Sequence, residues 1–253
     1  MILLIIKIYD RQRKMRNRKI YIQMTLCVTF FCPPTDTEDL GGQAFSFPEQ
    51  NRKSYVRLIP LKASKTLDSA TVCLRFYTDQ QEGSRFTLFS LNATTTTNTY
   101  TAFTIFWHVN LKCYGLRMGD KPSTILFYGL QYNLNKWNSL CATWNSSTGM
   151  SQMIINELPS VRKGVYGGGS LGANPSIILG QEQGGNGPII RSNDPFQGHI
   201  NDVHVWDYVI SPSEIQNYMD GRMLRYTPGN YLNWRELDFS INGYVLVEDI
   251  NTL

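Results

Sequence analysis

The sequence predicts an all-β sandwich or jelly roll interrupted by one short helix. Three observations predict it: apolar residues recur with a period of two in short runs, Gly, Asn, Ser and Pro bound those runs, and a single segment shows helical spacing with cap residues at both ends. A hydrophobic content of 42% over 253 residues supplies the apolar surface for a packed core and argues against disorder.

The period-two pattern sets in at Phe45. Strands are expected over residues 54–59 (SYVRLI), 70–77 (ATVCLRFY), 85–90 (RFTLFS), 102–107 (AFTIFW) and 123–128 (STILFY), because β-branched and aromatic side chains alternate there with polar ones. The series continues over residues 139–144, 151–156, 176–179, 198–206 and 243–247. The helix is expected over residues 211–221: Ser211 is the N-cap, Pro212 takes the first helical position, Glu214 completes a capping box and Gly221 ends it. Ile215, Tyr218 and Met219 share one face, so the helix can lie on a sheet. Apart from the threonine run 94–97 no low-complexity stretch or linker divides the series, and residues 43–253 read as one domain.

Residues 1–42 read as a leader. A basic block, Arg11 to Lys19, precedes the apolar run IYIQMTLCVTFFC and then Pro33-Pro34, which is the order of a secretory signal. The run falls short of the ~20 apolar residues that span a bilayer. Met15 is a reasonable true start, since an extra apolar stretch lies before the basic block. The formal charge of +4 comes from this leader, in which residues 1–32 carry seven Lys/Arg and one Asp. The near-neutral body offers no basic face for nucleic acid. Cys27 and Cys32 belong to the leader, leaving Cys73, Cys113 and Cys141 for one disulfide and one spare thiol; spacing does not decide the pair. Sequons at Asn92 and Asn145 fit a secreted chain.

Enzyme signatures are weak. Residues 168–172 (GGSLG) fit the nucleophile-elbow spacing, but no helix pattern follows and βα units are absent. His108, His199 and His204 lack zinc-ligand spacing. Glu236 and Asp238 are the nearest carboxylate pair and read as a solvated face rather than a glycosidase couple.

The segments TVCLRF and LCATWNSSTG, with Cys73 and Cys141, resemble the paired cysteine strands of the pentraxin family, whose signature H-x-C-x-[ST]-W-x-[ST] stands here as residues 139–146 with Ser139 in place of the leading His. FTIFW, SIILGQEQ, VHVWDYVISPSEI and GNYLNWRELDFSINGYVLVED extend the resemblance over residues 43–249. It implies a flattened jelly roll of two antiparallel sheets, a Cys73–Cys141 disulfide, and the helix on the face opposite the ligand site. It also implies a secreted, non-enzymatic pattern-recognition lectin of innate immunity, assembled as a pentamer-like homo-oligomeric ring. Its expected partners are phosphocholine, phosphoethanolamine or acidic glycans on microbial or damaged-cell surfaces, and complement components. A structural or regulatory paralogue that assembles without a ligand of its own is the other reading.

In the family two calcium ions hold the ligand's phosphate, and calcium takes six to eight oxygen donors. By resemblance Glu182 supplies its side chain, Gln183 its carbonyl, and Asp194 and Asn98 further oxygens. Gly184 and Arg191 stand where the family carries acids, so the implied calcium site is weakened. Phe106 matches the aromatic that packs on choline methyls, and Thr124 falls where a glutamate faces the choline ammonium. Arg191, if it lies in the pocket, would bind phosphate without metal.

Overall fold

The computed structural model describes residues 37–94, 99–119, 123–182, 195–221 and 225–253. The expected leader, with Met15, Cys27 and Cys32, lies outside them, apart from residues 37–42. In chain order the elements are β1 (Gln43–Phe47), β2 (Tyr55–Ile59), β3 (Ser69–Tyr77), β4 (Arg85–Thr94), β5 (Thr99–His108), β6 (Cys113–Met118), β7 (Ser123–Tyr128) and β8 (Trp137–Asn145). There follow β9 (Met150–Ile155), β10 (Leu158–Pro159), β11 (Lys163–Gly164), β12 (Ser176–Leu179), β13 (Gly198–Trp206), α1 (Pro212–Met219), β14 (Asp238–Asn242), β15 (Leu246–Asp249) and a final 3-10 turn, Ile250–Thr252.

Two antiparallel sheets form the sandwich that the sequence predicts. The first runs β10-β9-β8-β3-β13-β1-β15, with β11 also paired to β9; the second runs β14-β2-β12-β4-β5-β6-β7. Alternation along each strand decides which side chains meet between the sheets. In β3, Val72, Leu74 and Phe76 point inward to pack with Phe103, Ile105 and Leu116 of the second sheet, while Cys73 and Arg75 point outward. Burying each of these large apolar side chains stabilises the fold by about 1.5–3 kcal/mol.

Most expected strands form, and the exceptions have local causes. β6 went unforeseen because Gly115 interrupts its alternation, yet it completes a ladder between β5 and β7. The strand expected over 243–247 is corrected to β15, three residues later in its start. Gly243 lies instead at a turn with φ +72°, where a Cβ would come within 2.6 Å of the Lys53 carbonyl oxygen. The residues just before it form the additional strand β14 against β2. Ahead of β1, Leu40 is buried, and a bridge between Glu38 and Leu237 ties this stretch to the body.

The helix forms as its capping box predicts: Ser211 Oγ accepts from Glu214 N at 3.3 Å, and Ser211 N donates to Glu214 Oε2 at 3.0 Å. Its buried Ile215, Tyr218 and Met219 cover Cys73, Cys141, Ile154 and Trp206 on the outer face of the first sheet. Cys73 and Cys141 are directly opposed in the β3–β8 ladder and form a disulfide, as the resemblance implies. Cys113 is a free, buried thiol in β6, and burial pushes its pKa up.

Candidate functional site

The signature segment proves architectural. Ser139 Oγ accepts from Arg75 Nη1 at 2.8 Å, Trp144 is fully buried and donates to the Val165 carbonyl, and Ser146 Oγ donates to the Gly169 carbonyl. The GGSLG stretch is a loop in which Leu171 bridges to Leu67, with no strand-to-helix elbow. His204 is buried with both ring nitrogens engaged, Nε2 by Asp202 Oδ1 at 3.2 Å and Nδ1 by the N–H of Gly229 at 3.3 Å, which leaves no lone pair for a metal. Glu236 is exposed and Asp238 opens β14; they share no cleft.

The outer face of the second sheet is different in character. Three rows cross it, set by the strand register. Thr124, Arg117, Thr104 and Ser90 make one; Leu126, Gly115, Phe106 and Thr87 the next; Tyr128, Cys113, His108 and Arg85 the third. Phe106 therefore points away from the inter-sheet core, in contrast to its neighbours Ile105 and Trp107. The far end of its ring occupies the space over Gly115, where a Cβ would come within 2.0 Å of the ring, and the Arg85 guanidinium stands 5.2 Å from the ring centroid. Glycine at 115 is thus the condition for a fully sized aromatic in this position.

Glu182 follows β12 and is 3% exposed. Arg85 Nη2 donates to its Oε2 and Arg117 Nη1 to its Oε1, each at 2.7 Å. The two guanidiniums keep side-chain exposures of 35% and 27%, so a buried carboxylate holds a half-open pair of cations. Nothing in composition singled out Arg85 or Arg117. The available signal was a charged residue at the start of β4 and another inside the otherwise apolar β6, both on the outward face that Phe106 shares.

Of the other expected site residues, Thr124 is exposed on β7 directly opposite Arg117. Asn98, Gln183, Arg191 and Asp194 lie outside the described residues. A divalent cation needs converging oxygens with unspent negative charge. Among the described residues no three His, Cys, Asp or Glu side chains converge, and Glu182, the one expected acidic ligand described, has each oxygen committed to a guanidinium. Of the two sequons, Asn92 is fully buried in β4, whereas Asn145 sits half-buried at the end of β8, with Oδ1 accepting from the Ser147 N–H at 2.9 Å.

Comparison with known proteins bears on this face. Residues 43–249 match the Pentaxin family. The chain is 35% identical over 213 residues to serum amyloid P-component of Bos taurus, covering 83% of this chain and 88% of the bovine one. It is 34% identical over 211 residues to C-reactive protein of Mus musculus, covering 83% and 89%. Among solved structures, a native heptameric SAP-like pentraxin from Limulus polyphemus superposes with a TM-score of 0.68 at 21% identity, over 83% of this chain and 96% of that one; this likeness speaks to fold.

Proposed function

Because the chain belongs to the Pentaxin family, whose C-reactive protein and serum amyloid P relatives are non-enzymatic binding proteins, we propose that it is a secreted pattern-recognition lectin for phosphate- or acidic-sugar-bearing surfaces. The observation that carries this reading is the placement of Phe106. It lies beside Glu182, Arg85 and Arg117 on the outer face of the second sheet, on the sheet that does not carry α1. A homo-oligomeric ring would present one such shallow site per subunit on one side, so that individually weak contacts with a repetitive surface add by avidity. The Limulus protein's heptameric state supports ring assembly for this fold. Exit from the cell through the leader and a glycan on Asn145 belong to the same reading.

The chemistry asked of the site is recognition alone. Charge-assisted hydrogen bonds from guanidinium groups suit phosphate and carboxylate oxygens, and the buried Phe106 ring supports the Arg85 guanidinium from beneath. The test is retention of the mature protein on immobilised phosphocholine, phosphoethanolamine and an acidic glycan, each with calcium and with chelator, alongside sedimentation to obtain the subunit number. Retention of the ring on any of these supports the reading. Passage through every column under both conditions overturns it and leaves an assembling paralogue without a ligand of its own.

A further inference from the structure

The first sheet carries ligand-type side chains on the face that α1 covers in part. Arg75 and Tyr77 point outward from β3, so their ladder partners do the same: Asn201 and His199 on β13, Ser139 and Trp137 on β8. Tyr77 is half-buried between Trp137 and His199, with ring centroids 5.7 Å away on either side, and His199 is held in turn by Ser46 Oγ at 2.7 Å. This aromatic row ends in Trp137, itself half-buried, at the rim of a cavity of about 370 Å³. Beside Trp137, the cavity is lined by Arg75, Asn201 and Asp202 from the sheet and by Gly41 and Trp234 from flanking loops. Its volume falls in the range of small-molecule pockets, roughly 300–1,000 Å³.

Asn201 is the group in this cavity that the fold does not use. It is 6% exposed, its side chain makes no hydrogen bond among the described residues, and Oδ1 is buried without a partner. Its neighbours are already committed: Arg75 donates to Asp202 Oδ2, Ser139 Oγ and the Tyr218 carbonyl, and Asp202 Oδ1 meets His204. A buried amide left unpaired is a cost to the free protein that an incoming polar group removes. We propose that this cavity is a saccharide subsite on the α1 face, in which Asn201 bonds a ring hydroxyl and Trp137 packs on the sugar's C–H face. The site is separate from the Phe106 face and adds a second kind of recognition to the chain. A hydroxyl both donates and accepts, so it completes the amide whichever way that amide is turned, whereas an apolar ligand would leave it orphaned. The soft χ2 torsion of asparagine lets Oδ1 or Nδ2 swing toward the cavity. The indole offers a broad apolar surface at low entropic cost, and Tyr77 and His199 continue that surface for the further rings of a longer glycan.

The experiment titrates methyl α-D-mannopyranoside, methyl β-D-galactopyranoside and N-acetylglucosamine into the mature full-length protein. Saturation-transfer NMR and tryptophan fluorescence follow the binding, with chelator throughout so that any calcium-dependent site stays silent. Saturable binding of at least one sugar is expected, with transfer strongest to ring C–H protons, and at least tenfold weaker in Asn201→Ala and in Trp137→Ala. Asn201→Ala breaks no side-chain hydrogen bond of the free protein, so its denaturation midpoint should not fall, and it carries the test even where Trp137→Ala fails to fold. Binding unchanged in Asn201→Ala overturns the proposal, and a midpoint that falls in the same variant would mark the amide as a structural group completed by ordered water. Absence of saturable binding by all three sugars also overturns it. Retention on the phosphate-headgroup columns bears on the Phe106 face, so the two readings fail separately.

Discussion

Replacing the disulfide tests the covalent frame on which both faces depend. Cys73 and Cys141 are opposed in neighbouring strands and separated by 68 residues in sequence. Changing both to Ala releases that loop in the unfolded chain, and the chain-entropy relation for a separation of 68 puts the loss at about 4.4 kcal/mol at 25 °C. The sulfurs are also fully buried under α1, so the small cavity left between Trp206 and Ile215 adds to the cost. At about 2–4 °C per kcal/mol for a chain of this size, the double variant should melt lower by on the order of 10 °C. The assay is guanidinium unfolding with linear extrapolation at fixed subunit concentration, because assembly shifts apparent stability. Reduced wild type, which opens the same loop without deleting atoms, separates the loop term from the cavity term. A loss below about 1 kcal/mol with an unchanged m-value would refute the reasoning, since it would mean that the unfolded chain is already restricted without the bond.

Three further outcomes are expected. Gly115→Ala brings a Cβ within 2.0 Å of the buried Phe106 ring, so the ring must shift from beneath Arg85; denaturant midpoints should report a loss of about 1–3 kcal/mol, and an unchanged midpoint would show that the ring yields freely. Ser211→Ala removes the acceptor for the Glu214 N–H and should cost about 1 kcal/mol by the same assay, a change within error arguing that the cap is replaced by water. Asp202 gives a pH signature. Burial works against its charged form, but the His204 and Arg75 contacts outweigh burial and hold its pKa below the ordinary value. A depressed carboxylate contributes stability that is present above the unfolded value of about 3.9 and is lost as pH falls through the folded value. Asp202→Asn, which tolerates the positive φ of 51° at this bulge, should therefore be less stable near neutrality and show a flatter acid limb than wild type; parallel limbs would exclude the residue as a source of acid sensitivity.

Local chemistry made much of the fold legible. Period-two alternation located nine of the strands within a few residues, and the Ser211–Glu214 capping box located α1, because both signals act between residues close in the chain. The same locality explains what was missed. β6 carries a glycine whose purpose is to make room for Phe106 on the next strand, so its pattern looks broken until the neighbour is present. β14 and β15 depend on pairing with β2 and β1 across distant sequence, and only the tight turn at Gly243 sets where one stops and the other begins. For the site, the resemblance drew attention to Glu182, Phe106 and Thr124 but described Glu182 through its place in the family.

The sequence by itself determined the all-β class, the capped helix, the supply of three body cysteines and, through the shared segments, membership of the family. Only the tertiary structure decided what Glu182 faces. Arg85 on β4 and Arg117 on β6 lie 97 and 65 residues from Glu182, which follows β12, and ion pairing depends on distance in space at 2.7 Å rather than on order along the chain. It likewise decided that Phe106 points outward, since strand parity becomes a direction only once a second sheet packs against one side.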